Sequence, residues 1–174
     1  MKKIILFLAF LAVASFAQKN NAIGVWFGDG GVGFDYKRLM GKGNALDIYV
    51  GDFELGDNSA IGVGAGYYFL FDIVKADASI GRFPLHVGPN LGFGLWSGKG
   101  YGGFDIGLKA AGGISWFTPT TPVMDVSIEL VSPNLVSLWH NSYELANGDE
   151  ESDTSFKLVS GSLGFRILFH VYFF

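Results

Sequence analysis

The chain has 174 residues, enough for one domain of ordinary size, with 26 glycines, 17 phenylalanines and no cysteine. The missing thiols exclude a disulfide scaffold, a thiolate metal site and a lipid-modified cysteine. An apolar content of 49% excludes a disordered chain, and a formal charge of −4 argues against nucleic acid as a partner, since no basic face is available for phosphate.

Met1-Lys2-Lys3 is a positive opening, Ile4 to Ala14 is apolar, and Ser15-Phe16-Ala17 puts small residues where a signal peptidase reads. This predicts an export signal over 1–17, cut before Gln18, with 18–174 as the mature domain. The apolar run is too short to span a bilayer, which takes about 20 residues as a helix.

From there on the pattern has period two, the period of a strand with one apolar face. Ile23, Val25 and Phe27 alternate with Ala22, Gly24 and Trp26. Val32, Phe34 and Tyr36 alternate with Gly33, Asp35 and Lys37, and Leu46, Ile48 and Val50 with Ala45, Asp47 and Tyr49. Between the first two segments, Gly28-Asp29-Gly30-Gly31 reads as a tight hairpin. It is not a phosphate loop, because no helix follows it. In the fourth segment Ile61, Val63, Ala65, Tyr67 and Phe69 face away from Gly62, Gly64, Gly66 and Tyr68. The fifth opposes Leu85, Val87, Leu91, Phe93 and Leu95 to His86, Gly88, Asn90, Gly92 and Gly94. The sixth opposes Phe104, Ile106, Leu108, Ile114 and Trp116 to Asp105, Gly107, Lys109, Gly113 and Ser115. Met124, Val126, Ile128 and Leu130 alternate with Asp125, Ser127 and Glu129, and the last segment runs apolar at every second residue from Leu163 to Phe173.

A soluble sandwich would hide the apolar face and present a long polar one. Here the second face is mostly glycine with a few charges. Glycine packs nothing on an exposed strand but suits the inside of a narrow barrel. The pattern therefore predicts an all-β fold, an eight-stranded antiparallel up-and-down transmembrane β-barrel, with the apolar face toward lipid. Thr118–Pro122 is a compact inner turn. The segment 71–84 is long for that side and either extends its two strands or forms a cap. The segment from about Ser132 to Ser155 is the longest outer loop.

Several stretches, in order, carry a resemblance: Asn44-Ala45-Leu46-Asp47-Ile48, Gly81-Arg82-Phe83-Pro84-Leu85-His86-Val87-Gly88, Phe117-Thr118-Pro119, Met124-Asp125-Val126-Ser127-Ile128-Glu129-Leu130 and Gly164-Phe165-Arg166. Together they resemble a family of small outer-membrane barrels, first described in spirochaetes, that has no assigned activity. The architecture is similar to the OmpA and OmpX barrels. Tyr172 and Phe174 are similar to the C-terminal signal read by the barrel-assembly machinery. The resemblance implies residence in a bacterial outer membrane, with its lipids and that machinery as partners.

The interior is expected to hold Asp35, Lys37, Asp47, Asp105, Lys109, Asp125, Glu129 and Arg166. Buried charges must pair, so they are read as a network that fills the lumen, with Lys109 meeting Glu129. Aromatic residues at strand ends, Tyr36, Tyr67, Trp116, Phe117 and Phe173 below and Trp96 and Trp139 above, are read as membrane-interface girdles. His140, Ser142 and Glu144 share the spacing of a lipid A deacylase, a lipid-modifying enzyme in which His activates Ser and a carboxylate orients the His. The reading preferred for that stretch is a polar loop. The outer loops carry Asp29, Asp52, Glu54, Asp57, Glu144, Asp149, Glu150, Glu151 and Asp153 against Lys99, an acidic rim suited to an external ligand. No metal site and no cofactor are assigned, and a monomer is expected. The role expected is structural or adhesin-like, with enzyme and narrow pore or lipophile carrier as alternatives.

Overall fold

The computed structural model describes residues 20–28, 31–41, 43–55, 58–77, 79–98, 100–145 and 147–173, all in strands, turns and short connections without a helix. The expected signal segment, Phe174, and Asp29, Asp57 and Lys99 of the expected rim lie outside the described residues.

Ten strand segments follow one another: β1 (Asn21–Gly28), β2 (Gly31–Met40), β3 (Asn44–Leu55), β4 (Asn58–Asp77), β5 (Gly81–Gly98), β6 (Tyr101–Phe117), β7 (Met124–Val131), β8 (Asn134–Glu144), β9 (Glu150–Ser160) and β10 (Gly164–Phe173). Sequential neighbours pair antiparallel from β1 to β6. The long β6 then divides, its lower part (Ala111–Phe117) pairing with β7 and its upper part (Tyr101–Leu108) with β8. β7 and β8 are thus one stave broken at Ser132-Pro133, and β9 and β10 are another, broken at 161–163. β10 closes the ring on β1, from Asn21 opposite Phe173 to Gly28 opposite Arg166. The result is a closed antiparallel barrel of eight strands.

The first break has a chemical cause. Pro133 has no N–H to give to the ladder. Ser132 spans the gap instead, its N–H donating to the Ala110 carbonyl and its hydroxyl accepting from the Ala110 N–H. At the second break Gly161 takes φ +89°, open to glycine at little cost.

Alternation sorts the side chains as the sequence predicts. Ile48, Val63, Phe69, Leu91, Ile106, Ile128 and Phe169 are all exposed on the outside. Trp26, Asp125, Glu129 and His170 are fully buried within. The last strand turns Phe165, Phe169 and Val171 outward and Arg166, Leu168, His170 and Tyr172 inward.

One connection differs from its reading as a loop, and another resolves its two alternatives. β8 and β9 form an extended hairpin, Tyr143 opposite Glu151 and Val136 opposite Leu158, so most of the expected 132–155 loop is strand. The 71–84 segment takes the first of its two alternatives, extending β4 and β5 with register shifts after Asp72 and Val74. Arg82 Nε donates to Asp72 Oδ1 at 2.5 Å in this extension.

Candidate functional site

The interior is built from inward positions of eight staves, and it is layered. At the lower end Ala22, Phe117 and Tyr172 pack together, with Leu39 and Val123 against them. This corrects the girdle reading of Phe117. The strand puts Trp116 outside, at 41% exposure, and so must put its neighbour inside. Trp96 is corrected in the same way. It is buried inside the upper barrel, its ring 5.4 Å from that of Trp139, which lines the same cavity from the inward side of β8 and so is not a girdle residue either. Tyr36, Tyr67 and Phe173 lie on the outer face with Trp116.

Above the lower seal, charges from five strands meet. Lys37 Nζ reaches across the lumen to Asp125 Oδ2 at 2.6 Å. Arg166 Nη2 donates to Glu129 Oε2 at 2.5 Å, their strands paired at those residues. His170 Nε2 lies 3.0 Å from Asp35 Oδ1, and its Nδ1 3.4 Å from Asp125 Oδ2. His86 Nε2 lies 3.6 Å from Glu129 Oε1. Hydroxyls and amides complete the set. The Ser127 hydroxyl donates to Asp125 Oδ1, Ser115 bridges Ser127 and His86 Nδ1, and Tyr49 donates to Asn90 Oδ1 at 2.7 Å. The Arg166 guanidinium stands 4.9 Å from the centre of the Tyr49 ring.

Asp35, Lys37, Asp47, Asp125, Glu129 and Arg166 are therefore brought together. Asp105 and Lys109 are not among them. They sit higher, lining the cavity above Tyr49. The expected Lys109–Glu129 contact does not form, because β6 and β7 pair with Gly113 opposite Glu129, four residues off. The sequence reading left out His86, His170, Ser115 and Ser127. Each was legible as an inward position, but none carries a fixed charge.

Asp35, Asp47 and His170 offer ligating atoms within 4.8 Å of one another. Asp35 Oδ2 and Asp47 Oδ1 have no hydrogen-bond donor. Two carboxylates this close need a proton or a cation between them.

His140 and Ser142 share the outer face of β8, but they are not joined. His140 Nδ1 bonds the Thr154 hydroxyl at 2.8 Å, and Ser142 donates to the Gly102 carbonyl at 3.3 Å. Phe104 stacks on the imidazole at 5.2 Å. The fixed partners of both side chains lie elsewhere, while Glu144 closes the hairpin edge by its N–H to Gly100. The exposed acids Asp149, Glu150, Glu151 and Asp153 cluster around the β8–β9 turn.

Fold and interior together define a class: a closed eight-stranded barrel with apolar side chains outside and paired charges buried within. No family model, curated protein or solved structure matches the chain.

Proposed function

We propose that the chain is a small integral outer-membrane barrel, exported through its N-terminal signal, that carries no steady solute flow and presents an acidic hairpin edge to the outside. The observation that carries this reading is the outer surface. Among the described residues, every stave turns large apolar side chains outward and leaves them exposed, from Phe27 and Ile48 through Leu91 and Ile106 to Ile128 and Val171. A water-soluble protein rarely leaves so continuous an apolar surface uncovered. Where the ring closes, β1 on β10, the backbone groups of the wall are paired, as hydrocarbon requires.

Its filled middle favours a structural or surface-interaction role over a pore. Charged and polar side chains that are fully buried and mutually bonded block the path between the two ends. The β8–β9 tip supplies the surface for a basic external ligand. The order of motifs shared with the small spirochaete-type barrels, and the terminal aromatic pair similar to an assembly signal, belong to the same reading.

The test is extraction from membranes with detergent, followed by electrophoresis with and without boiling. A folded barrel migrates faster unboiled. A chain recovered folded from the aqueous fraction without detergent overturns the proposal.

A further inference from the structure

The end of the lumen nearest the β5–β6 and β8–β9 turns is not filled. Above Tyr49 lies a cavity of about 680 Å³, in the range of sites that hold small molecules. The sequence makes this room. Low on β4 and β5 the inward positions carry Tyr68 and His86, but higher up Gly62 faces Gly94 and Gly64 faces Gly92. Tyr49 lies over Gly64 and forms the floor, while a Cβ at Gly92 would meet only the Tyr49 hydroxyl, at an ordinary 3.5 Å.

Three surfaces bound the space. Trp96 and Trp139 give an aromatic wall. Lys109, opposite Asn90 in register and so level with the floor, gives a cation, with Asp105 interacting electrostatically on the same strand. The third side is incomplete. β1 ends at Gly28 opposite Arg166, so among the described residues β9 pairs with β8 alone. The residues Ser160 to Gly164 beside that free edge line the cavity. The outer surface next to it is the most exposed apolar part of the barrel, with Phe156 and Leu163 both at 66% and Leu158 at 70%.

From this geometry we infer that the cavity binds single-chain amphiphiles with an anionic head, of the fatty-acid type, which enter from the membrane beside β9. The carboxylate meets the Lys109 ammonium at the floor. The chain lies along Trp96, with its end toward Leu163 and the gap, while the Lys157 ammonium from β9 covers the Trp139 ring, 4.9 Å from its centre. A cation at the closed end and an apolar exit at the open side fit a molecule with one charged end and a long tail. Asp105 competes for the same ammonium, so its charge weakens binding. The inference rests on the outer face being lipid-facing.

The test uses the full barrel in phosphatidylcholine nanodiscs, titrated with dibromostearate, whose bromines quench nearby indoles. The account predicts saturable quenching at about one acid per barrel, as a single pocket requires. Gly92→Leu, which fills the space, and Lys109→Met, which removes the cation, should each weaken it by about tenfold or more. Asp105→Asn should tighten it. The methyl ester of the same acid should give no saturable phase. Quenching that is unsaturable and unchanged by Gly92→Leu reports only lipid around the outward Trp116, and overturns the site. Equal binding of acid and ester, or indifference to both Lys109→Met and Asp105→Asn, overturns the anionic head. If Gly92→Leu fails to fold, the two charge variants decide the matter. A barrel folded in nanodiscs without saturable quenching refutes the site and leaves the membrane reading standing. A chain that never enters the disc refutes that reading, and the site with it.

Discussion

Replacing Arg166 with Met strikes the plug at its most direct contact. Arg166 Nη2 and Glu129 Oε2 are 2.5 Å apart with both side chains buried, and the guanidinium also covers the Tyr49 ring. Methionine keeps the apolar stem and much of the volume, so what is lost is charge. Glu129 then keeps His86 at 3.6 Å and the Tyr68 hydroxyl. Removing one partner of a buried pair costs about 3–5 kcal/mol, because the other charge stays out of water. Loss of the ring contact adds up to about 1 kcal/mol. A loss of about 4 kcal/mol lowers the folded-to-unfolded ratio roughly a thousandfold. Urea unfolding of the barrel in lipid vesicles, followed by tryptophan emission, reads this directly. The double variant Arg166→Met/Glu129→Met should recover most of the loss, since an apolar pair of similar volume replaces a buried ion pair at little cost. A single variant within about 1 kcal/mol of the parent, the value of an exposed pair, would refute the reasoning. So would a double variant no more stable than the single.

Other positions give independent checks. Ile128→Arg, midway along the outer belt and opposite Ile114 and Ile167, should cost about 2–4 kcal/mol in the same unfolding assay. Gly64→Leu should yield no heat-modifiable barrel, because a Cβ there would lie 2.2 Å from the Tyr49 ring and 2.7 Å from the Leu91 carbonyl. Gly92→Leu, on the next strand, should fold. In planar bilayers the parent should show no steady open level; long-lived conductance steps would contradict a filled lumen. Incubation with lipid A should release no fatty acid, since His140 and Ser142 are held by Thr154 and Gly102 instead of each other.

Parity carried most of what was legible. It placed Asp35, Lys37, Asp125, Glu129 and Arg166 inside and the Phe165 to Phe173 face outside, because a strand sends neighbours to opposite sides whatever its surroundings. Parity also contained the answer for Trp96, Trp139 and Phe117, next to the outward Leu95, Leu138 and Trp116. Their place at strand ends suggested a girdle and pulled the other way. Which inward charge meets which was beyond reach. Lys37 and Asp125 are 88 residues apart, and their contact depends on the stagger of the closed ring. The β8–β9 hairpin was missed for a different reason. From His140 to Asp153 most positions on both faces are polar, with Tyr143, Leu145 and Ala146 the exceptions, so the alternation that marks a strand is absent there.

The account stands on which face of the wall meets hydrocarbon, and the absence of native cysteine makes that open to a scan of single cysteines. Nitroxide labels placed one at a time from Phe165 to Tyr172 on β10, in vesicles, should alternate. Phe165, Ile167, Phe169 and Val171 should collide freely with oxygen and be shielded from a water-soluble nickel chelate. Arg166, Leu168, His170 and Tyr172 should be poorly reached by either. Outward labels that the nickel chelate reaches as readily as oxygen would contradict the account.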